Sequence, residues 1–237
     1  MSVYELSRTL RNEDVNMHRQ LRTSALFRMM QEAAVAHTEE LGAGRALTLD
    51  RGLLWMVTLQ YAKVFRMPEY DEPVTLKSWP GETMHVLFPR YFTMSDEKGR
   101  PLVSASALWT LVDAKTRRMV FPERCGVRVE GVVTGEEAAL PKPLPKTETE
   151  NGRPFSVPFS YVDLNGHMNN TRYFDLAEDS IDAPAAGKQL REIRSEYIAE
   201  ALLGEELSVG WKKDGDGYFV SGKSGDKRIF SIEMKYE

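Results

Sequence analysis

Cysteine is nearly absent from this chain, which has only Cys125 among its 237 residues. A single cysteine excludes an internal disulfide and any metal site that is built from several cysteines. Because disulfides belong to oxidising compartments, we expect a protein of the reducing cytoplasm, with no metal centre.

Long hydrophobic runs are also missing. No stretch approaches the roughly 18 apolar residues that a membrane-spanning helix needs. The N-terminal sequence MSVYELSRTL lacks the charged and then apolar segments of a signal peptide. The net charge of −4 and the pI of about 5.7 provide no general attraction for phosphate backbones. We therefore expect a soluble protein that binds neither membranes nor nucleic acid.

Three prolines alternate with other residues in one short segment. Pro141, Pro143 and Pro145 lie in a stretch of charged and small residues between 131 and 156. Alternating prolines favour an extended path and cannot lie inside a helix or a central strand. The pattern predicts a linker over residues 133–154, which separates a domain at 1–132 from a domain at 155–237.

The first domain begins with a helical pattern. In the stretch 23–42, apolar residues recur three and four positions apart, Thr23 or Ser24 provides an N-cap, and Gly42 follows the end. This spacing predicts an amphipathic helix. Segments rich in β-branched and aromatic residues follow, separated by turn signals such as the stretch 96–99, and they predict antiparallel strands.

The second domain repeats this order. The stretch NNTRYFDLAEDSI predicts a shorter helix near residues 170–181, and the later segments predict strands joined by hairpins at 214–215 and 225–226. The segment 190–203 also fits helical spacing, but its likeness to the stretch 60–79 favours strand, turn and strand. Two helix-plus-sheet units of one design indicate an α+β fold. We expect a pseudo-dimer whose two sheets continue edge to edge, which would also cover two exposed sheet edges.

Polar residues are concentrated just before the second helix. Asp163, Asn165 and His167 alternate in the stretch YVDLNGHMNN, and Asn169 and Asn170 follow at once. Asn and Asp are ordinary cap and loop residues, so a purely structural role is one interpretation. A histidine has no such role in the middle of the loop, which favours a catalytic interpretation.

Several motifs occur in both halves in a fixed order. They are Trp55, the stretch TLKSWP at 75–80, Asp113-x-x-Thr116-Arg117-Arg118 followed by Pro122, Asp163-x-Asn165-x-His167-x-Asn169-Asn170-x-x-Tyr173, and Tyr197-x-x-Glu200. In this combination the chain resembles the thioesterases of acyl carrier protein (ACP), a family of tandem hotdog domains. The resemblance spans most of the chain, so we expect a tandem hotdog fold.

The resemblance also implies an activity. Family members hydrolyse the thioester between a fatty acyl chain and the phosphopantetheine of ACP in fatty acid biosynthesis, and they need no cofactor. By position, Asp163, Asn165, His167 and Glu200 match the catalytic set. Many plant members have cysteine after the matching glutamate, but Ala201 stands there in this chain. A cysteine nucleophile is therefore excluded at that position.

Thioester hydrolysis needs a base that activates water and donors that hold the developing oxyanion. A thiolate, with a pKa near about 8.5, leaves without a strong general acid. We expect Glu200, placed in a strand, to be the base, alone or shared with Asp163. Asn165 and His167 would position the water and the thioester. The free N–H groups at the start of the 170–181 helix would suit the oxyanion.

Substrate contacts are expected in both halves. Asn169 and Asn170 would hold the substrate near the catalytic set, while Met29, Met30 and Trp55 would line a tunnel for the acyl tail. Each of these apolar residues could equally be ordinary core. A basic patch could dock acidic ACP, or be only a solvated hairpin tip. It comprises Lys115, Arg117, Arg118, Arg124 and Arg128.

The first half contains a near copy of the polar motif at residues 14–18, Asp-x-Asn-x-His. Alignment of Phe27 with Tyr173 sets Leu21 opposite His167, which leaves the copy out of register. We interpret the copy as chance, or as an eroded relic at most.

The carboxylate is also missing from the first half. Pairing of Tyr61 with Tyr197 sets Val64 opposite Glu200. We therefore predict one active site per chain, built on the second half. Alternatives remain open: an acyl-CoA thioesterase, a non-catalytic acyl-binding protein and a hotdog dehydratase. A homodimer is also left open.

Overall fold

The structure, a computed structural model, describes residues 3–237 except the side chain of Asn151. Ten strands among these residues form one antiparallel sheet: β1 (Tyr4–Thr9), β2 (Leu53–Val64), β3 (Pro73–Pro80), β4 (Leu87–Asp96), β5 (Pro101–Asp113), β6 (Glu150–Ser156), β7 (Leu190–Tyr197), β8 (Glu206–Asp214), β9 (Gly217–Ser224) and β10 (Lys227–Tyr236). The helices are α1 (Thr23–Glu40), α2 (Pro122–Cys125) and α3 (Arg172–Glu178).

The two halves meet in the middle of this sheet. The strand order is β1-β3-β4-β5-β2-β7-β10-β9-β8-β6. Strands β2 and β7 pair antiparallel from Leu59↔Glu196 to Lys63↔Glu192. The predicted α+β layout, with two units joined edge to edge, is confirmed. We call this β2–β7 pairing the seam.

The long helix α1 packs one face against the sheet. Leu26, Met29, Met30 and Ala33 on this face are at most 1% exposed, which follows from the apolar spacing of three and four residues in the sequence. Burial of such side chains stabilises the fold by roughly 1.5–3 kcal/mol each. Met29 and Met30 thus belong to the core.

Helix α1 also contacts α3 across the two halves. The rings of Phe27 and Phe174 stack with centroids 4.1 Å apart. Thr23 Oγ1 donates a hydrogen bond of 2.6 Å to Glu178 Oε1. The predicted capping role of Thr23 or Ser24 is wrong, because α1 begins at Thr23 itself and the Thr23 hydroxyl binds the other helix instead.

Helix α3 is shorter than the predicted 170–181. At its start, Asn169 Oδ1 accepts hydrogen bonds from the N–H and the hydroxyl of Thr171, and this local turn competes with helical geometry. At its end the chain turns before Pro184, a residue that cannot continue a helix. The helix therefore spans only Arg172–Glu178.

The proline-rich segment packs along the sheet of the first half. Residues 126–149 form neither helix nor strand. Trp79 Nε1 donates to Glu137 Oε1 at 3.2 Å, and Ser106 Oγ donates to the carbonyl oxygen of Ala139 at 2.6 Å. Strand β6 begins at Glu150, inside the segment predicted as linker. The division into 1–132, 133–154 and 155–237 stays a prediction. Across residues 3–237, no helix is long and apolar enough to cross a membrane.

Candidate active site

The loop before α1 and the loop before α3 have the same backbone geometry. An isolated β-bridge joins Val15 to Leu21 in the first half, and another joins Val162 to Met168 in the second. Each loop also contains one residue with a left-handed φ. This residue is Arg19 in the first loop, with a φ of 64°, and Gly166 in the second, with a φ of 81°.

The polar motif makes the same turn in both loops. Asn16 Oδ1 accepts a hydrogen bond of 2.9 Å from the N–H of His18, and Asp163 Oδ1 accepts one of 2.8 Å from the N–H of Asn165. Both are Asx-turns, in which a side-chain oxygen binds a backbone group two residues on. The two loops are therefore structural repeats, with Asn16 opposite Asp163 and His18 opposite Asn165. The match of Asp-x-Asn-x-His at 14–18 to the motif at 163–167 is thus two residues out of register, which is consistent with its interpretation as chance.

The predicted register between the halves was off by one residue. Equivalent bridges join Gln20 to Glu69 and His167 to Leu202. Gln20, and not Leu21, thus stands opposite His167. The error came from the alignment of Phe27 with Tyr173, whereas the ring that stacks on Phe27 belongs to the next residue, Phe174.

The residue of the first half that was predicted to correspond to Glu200 was also wrong. The carbonyl oxygens of Pro68 and Ala201 accept equivalent hydrogen bonds from the two loops, at 2.8 and 2.9 Å. The residues directly before them, Met67 and Glu200, therefore correspond, and Val64 does not occupy this place. Met67 is 5% exposed. The first half thus lacks the acid, as predicted, although in another register.

Glu200 lies in a loop and not in a strand, which corrects the prediction. Strand β7 ends at Tyr197. The N–H groups of Ile198 and Ala199 then both bind the carbonyl oxygen of Ile229, at 2.8 and 3.1 Å. Because two residues share one partner, the chain bulges out of the ladder. The bulge turns Glu200 toward the polar loop.

Three charged or polar side chains meet at this point. Glu200 Oε2 lies 3.2 Å from His167 Nε2, and Glu200 Oε1 lies 3.2 Å from Arg117 Nη1. Arg117 Nη2 is 3.0 Å from the same His167 nitrogen. This nitrogen can either donate to Glu200 or accept from Arg117, but not both. His167 is only 8% exposed, so the three groups form one partly buried unit.

Arg117 reaches this unit from the first half, and its prediction as a carrier-docking residue stays a prediction. It follows a hairpin tip where Asp113 Oδ1 accepts hydrogen bonds from the N–H groups of Lys115 and Thr116. These N–H groups hold the pKa of Asp113 below its ordinary value. Arg117 itself has a left-handed φ of 56°. Its guanidinium therefore contacts Glu200 and His167, while Arg118 stays exposed.

Some of the remaining predicted residues line a cavity, and the others are engaged in local turns or in the core. Asp163 and Asn165 line a cavity of about 90 Å³ beside Glu200, and Asn170 lines it too. One carboxylate oxygen of Asp163 is also engaged in its own turn. Asn169 is used as a local cap. Met29 lies in the core, as does Met30, so the structure does not bring these two methionines to the site.

A larger cavity of about 230 Å³ lies in the first half, between α1 and the sheet. Four residues line both cavities, namely Gln31, Trp55, Trp109 and Asn165. The larger cavity is lined mainly by apolar side chains, including Ala34, Leu53, Leu54, Phe88 and Val129. Trp55 packs edge-on against Phe88, with ring centroids 4.8 Å apart. We call the smaller cavity, which contains the polar side chains around Glu200, the chamber, and the larger one the apolar cavity.

Three N–H groups at the start of α3, where oxyanion donors were predicted, are engaged by the chain itself. The Thr171 N–H binds Asn169 Oδ1 at 3.0 Å, and the Arg172 N–H binds the Asn169 carbonyl oxygen at 2.9 Å. The Phe174 N–H is bound within the same turn. The oxyanion role of this helix start therefore stays a prediction, and it does not involve these three groups.

Comparison with known proteins shows what the chain is similar to. A family model described as acyl-ACP thioesterase N-terminal domain matches residues 2–123, and one described as acyl-ACP thioesterase C-terminal domain matches residues 144–234. The chloroplastic palmitoyl-acyl carrier protein thioesterase of Cuphea hookeriana is 24% identical over 232 residues, which are 88% of this chain and 56% of that protein. The chain thus spans just over half the length of the curated relatives it matches.

Solved structures agree on the fold. An acyl-ACP thioesterase from Bacteroides thetaiotaomicron has a TM-score of 0.82 at 19% identity, with 99% of this chain and 98% of that chain covered. The 12:0-ACP thioesterase from Umbellularia californica has a TM-score of 0.79 at 21% identity, with 99% and 97% covered. The predicted tandem hotdog fold is confirmed.

Proposed function

This chain belongs to the acyl-ACP thioesterase family, and we propose that it hydrolyses the thioester of a fatty acyl chain carried on ACP. The products are a free fatty acid and the carrier's thiol, as part of fatty acid biosynthesis in the cytoplasm. One observation carries the proposal: the Glu200 carboxylate is held by His167 and Arg117 in a small chamber that adjoins an apolar cavity.

Glu200 is the base in this proposal. Its carboxylate takes a proton from a water molecule while the water oxygen bonds to the thioester carbonyl carbon. The carbonyl π electrons move onto oxygen, and they return when the carbon–sulfur bond breaks. The thiolate leaves with the electron pair of that bond and then takes up the proton that Glu200 holds. The carboxylate is thereby restored, and no metal or cofactor takes part.

The neighbouring residues support this choice of base. Asp163 has an oxygen bound to the N–H of Asn165, so it stabilises the turn and is less free to move a proton. His167 fixes the second oxygen of Glu200. Asn165 lines both cavities and positions the water and the thioester between them.

The acyl tail occupies the larger cavity in this proposal. Most of its lining is apolar, so burial of each methylene group against it contributes roughly 0.8 kcal/mol. Trp55 lies where the two cavities meet, and Asn170 lines the chamber on the other side. The position of this cavity supports the prediction that the first half selects acyl length.

Docking of the carrier is proposed on the basic surface beside Arg117. Lys115, Arg118, Arg124 and Arg128 are exposed. Between them along the chain, Met119 is 54% and Phe121 47% exposed. A positive rim around apolar side chains suits a strongly acidic protein partner. Homodimer formation stays a prediction.

The function is tested by substitution of the base. Glu200→Gln keeps the side-chain shape but removes proton acceptance, so we expect kcat for acyl-ACP to fall by about 10²-fold or more. The measurement is release of free fatty acid from one acyl-ACP, with Glu206→Gln, an exposed glutamate on β8, as the control. Wild-type turnover in Glu200→Gln, or no turnover of any acyl thioester by the wild type, would refute the proposal.

A further inference from the structure

Four polar side-chain atoms around the small chamber are buried and have no hydrogen-bond partner among the described residues. They are Gln31 Oε1, Trp55 Nε1, Trp109 Nε1 and Asn170 Nδ2. A buried polar group left without a partner costs about 1–3 kcal/mol. Such groups are rare in folded proteins and call for a reason. Their concentration around one cavity indicates a polar ligand group there.

The chemistry of these atoms defines that group. Both indole nitrogens carry an N–H, and so does the carboxamide nitrogen of Asn170, whereas Gln31 offers an acceptor. Three donors that converge on one chamber suit an oxygen acceptor that gains negative charge. The thioester of the proposed function has one such atom, its carbonyl oxygen. Three N–H groups at the start of α3, those of Thr171, Arg172 and Phe174, do not serve this oxygen, because they are engaged within their own turn.

We propose that the indole N–H groups of Trp55 and Trp109, together with the carboxamide of Asn170, hold the carbonyl oxygen of the substrate. This assignment rests on the proposed function and adds to it a donor set drawn from both halves. When water adds to the carbonyl carbon, the π electrons move onto this oxygen and the three donors stabilise its charge. When the electrons return and the thiolate leaves, the donors are released unchanged.

The position of the two tryptophans supports this role. Trp109 pairs with Val57 across β5 and β2, and Trp55 lies two residues before Val57 on the same strand. Both tryptophans line the apolar cavity as well as the chamber. The carbonyl group of an acyl thioester joins the tail to the sulfur. It would therefore lie at the junction that the two indoles form.

The donors are also held in place before any substrate binds. Trp55 packs edge-on against Phe88. The backbone carbonyl oxygen of Asn170 accepts a hydrogen bond of 3.0 Å from the Tyr197 hydroxyl. Donors fixed in advance need no reorganisation as the charge develops, and loss of one such donor typically lowers kcat by about 10²–10³-fold.

The test replaces each tryptophan with phenylalanine, which keeps an aromatic ring but removes the N–H. We expect Trp55→Phe and Trp109→Phe each to lower kcat by about 10-fold or more, with KM changed by less than about threefold. The matched control is Trp79→Phe, since the Trp79 N–H is bound to Glu137 outside the site. We expect this control to retain wild-type kcat.

A binding readout separates a catalytic role from a structural one. An acyl trifluoromethyl ketone, whose hydrate resembles the tetrahedral intermediate, should bind each variant more weakly by the factor lost in kcat/KM. A thioether analogue that lacks the carbonyl oxygen should bind as tightly as it does to wild type. Equal losses for both analogues would indicate altered packing and overturn the assignment.

The indole N–H groups can also be followed directly by ¹⁵N nuclear magnetic resonance. The chain has four tryptophans, so only four indole signals need assignment. Addition of the ketone should shift the Trp55 and Trp109 side-chain signals and leave that of Trp79 in place. Unmoved signals, with wild-type kcat in both variants, would overturn the assignment while the thioesterase function stands. A wild-type protein that hydrolyses no thioester would overturn the function itself, and the spectra would still decide whether these indoles bind the oxygen.

Discussion

At the scale of single residues, Glu200 of the second half, the proposed base, is in contact with a guanidinium from the first half. Arg117 contacts both Glu200 and His167, at 3.2 and 3.0 Å. A planar guanidinium binds two partners in a fixed geometry that a lysine ammonium does not reproduce. We propose Arg117 as a positioning residue that orients the Glu200 carboxylate, while His167 Nε2 donates to the other carboxylate oxygen.

Substitution of Arg117 should therefore affect turnover more than binding. We expect Arg117→Met to lower kcat by about 10- to 100-fold, with KM nearly unchanged, and Arg117→Lys to recover only part of the loss. The substrate should be an acyl N-acetylcysteamine thioester, which lacks the carrier protein. Arg118→Met, at the exposed neighbouring position, is the control. A loss seen only with acyl-ACP would assign Arg117 to docking instead.

At the scale of helices and strands, a buried carboxyl group joins α1 to α3. Burial raises the pKa of Glu178 to about 7, and Asp175 and Asp179 act in the same direction, while the hydrogen bond from Thr23 and the charge of Arg22 oppose them. Because the folded pKa exceeds the usual value of 4.5, the fold favours the protonated carboxyl group. This contribution to stability is complete below about pH 4.5 and is lost as the pH rises through 7.

Glu178→Gln should remove this pH dependence. We expect the variant to gain free energy of unfolding relative to wild type as the pH increases from 5 to 8, by roughly 1–3 kcal/mol. Urea unfolding at several pH values measures the difference. Parallel curves for the two proteins would show that the carboxyl group does not titrate in this range.

Most of the strands could be predicted from the sequence, but the two edge strands could not. Strands β2 to β5 and β8 to β10 are rich in β-branched and aromatic residues and end at clear turn signals, whereas β7 is predicted only through its counterpart in the first half. Strand β1 carries polar residues, and β6 contains Pro154, which is tolerated there because the strand lies at the edge of the sheet. These two strands are therefore set by pairing with β3 and β8 and not by their own composition.

The candidate site shows a similar limit. Asp163, Asn165 and His167 stand close together in the sequence, so their pattern was visible. Glu200 came from the resemblance, and its bulge depends on a carbonyl oxygen in a distant strand. The sequence places Arg117 in a basic patch for carrier docking, because nothing local reports that the tip of one half touches the loop of the other.

At the scale of the whole molecule, the exposed basic surface of Lys115, Arg118, Arg124 and Arg128 includes two residues that flank the site contact Arg117 along the chain. The proposal that it docks ACP predicts a difference between carriers. Charge reversal by Lys115→Glu and Arg118→Glu should raise KM for acyl-ACP several-fold and leave hydrolysis of the same acyl chain on CoA unchanged. Kinetics with both substrates measure this, and the effect should weaken at high salt. Equal or better turnover of acyl-CoA that charge reversal does not affect would favour an acyl-CoA thioesterase.

The seam between β2 and β7 also fixes a length. Glu200 lies in the loop that follows β7, and the apolar cavity lies against β2 and its neighbours. Under the proposed function, one continuous sheet therefore sets the distance between the thioester carbon and the cavity that takes the tail. Substitutions in the lining of this cavity would change the acyl length that fits, while the thioester carbon stays in place where the two halves join.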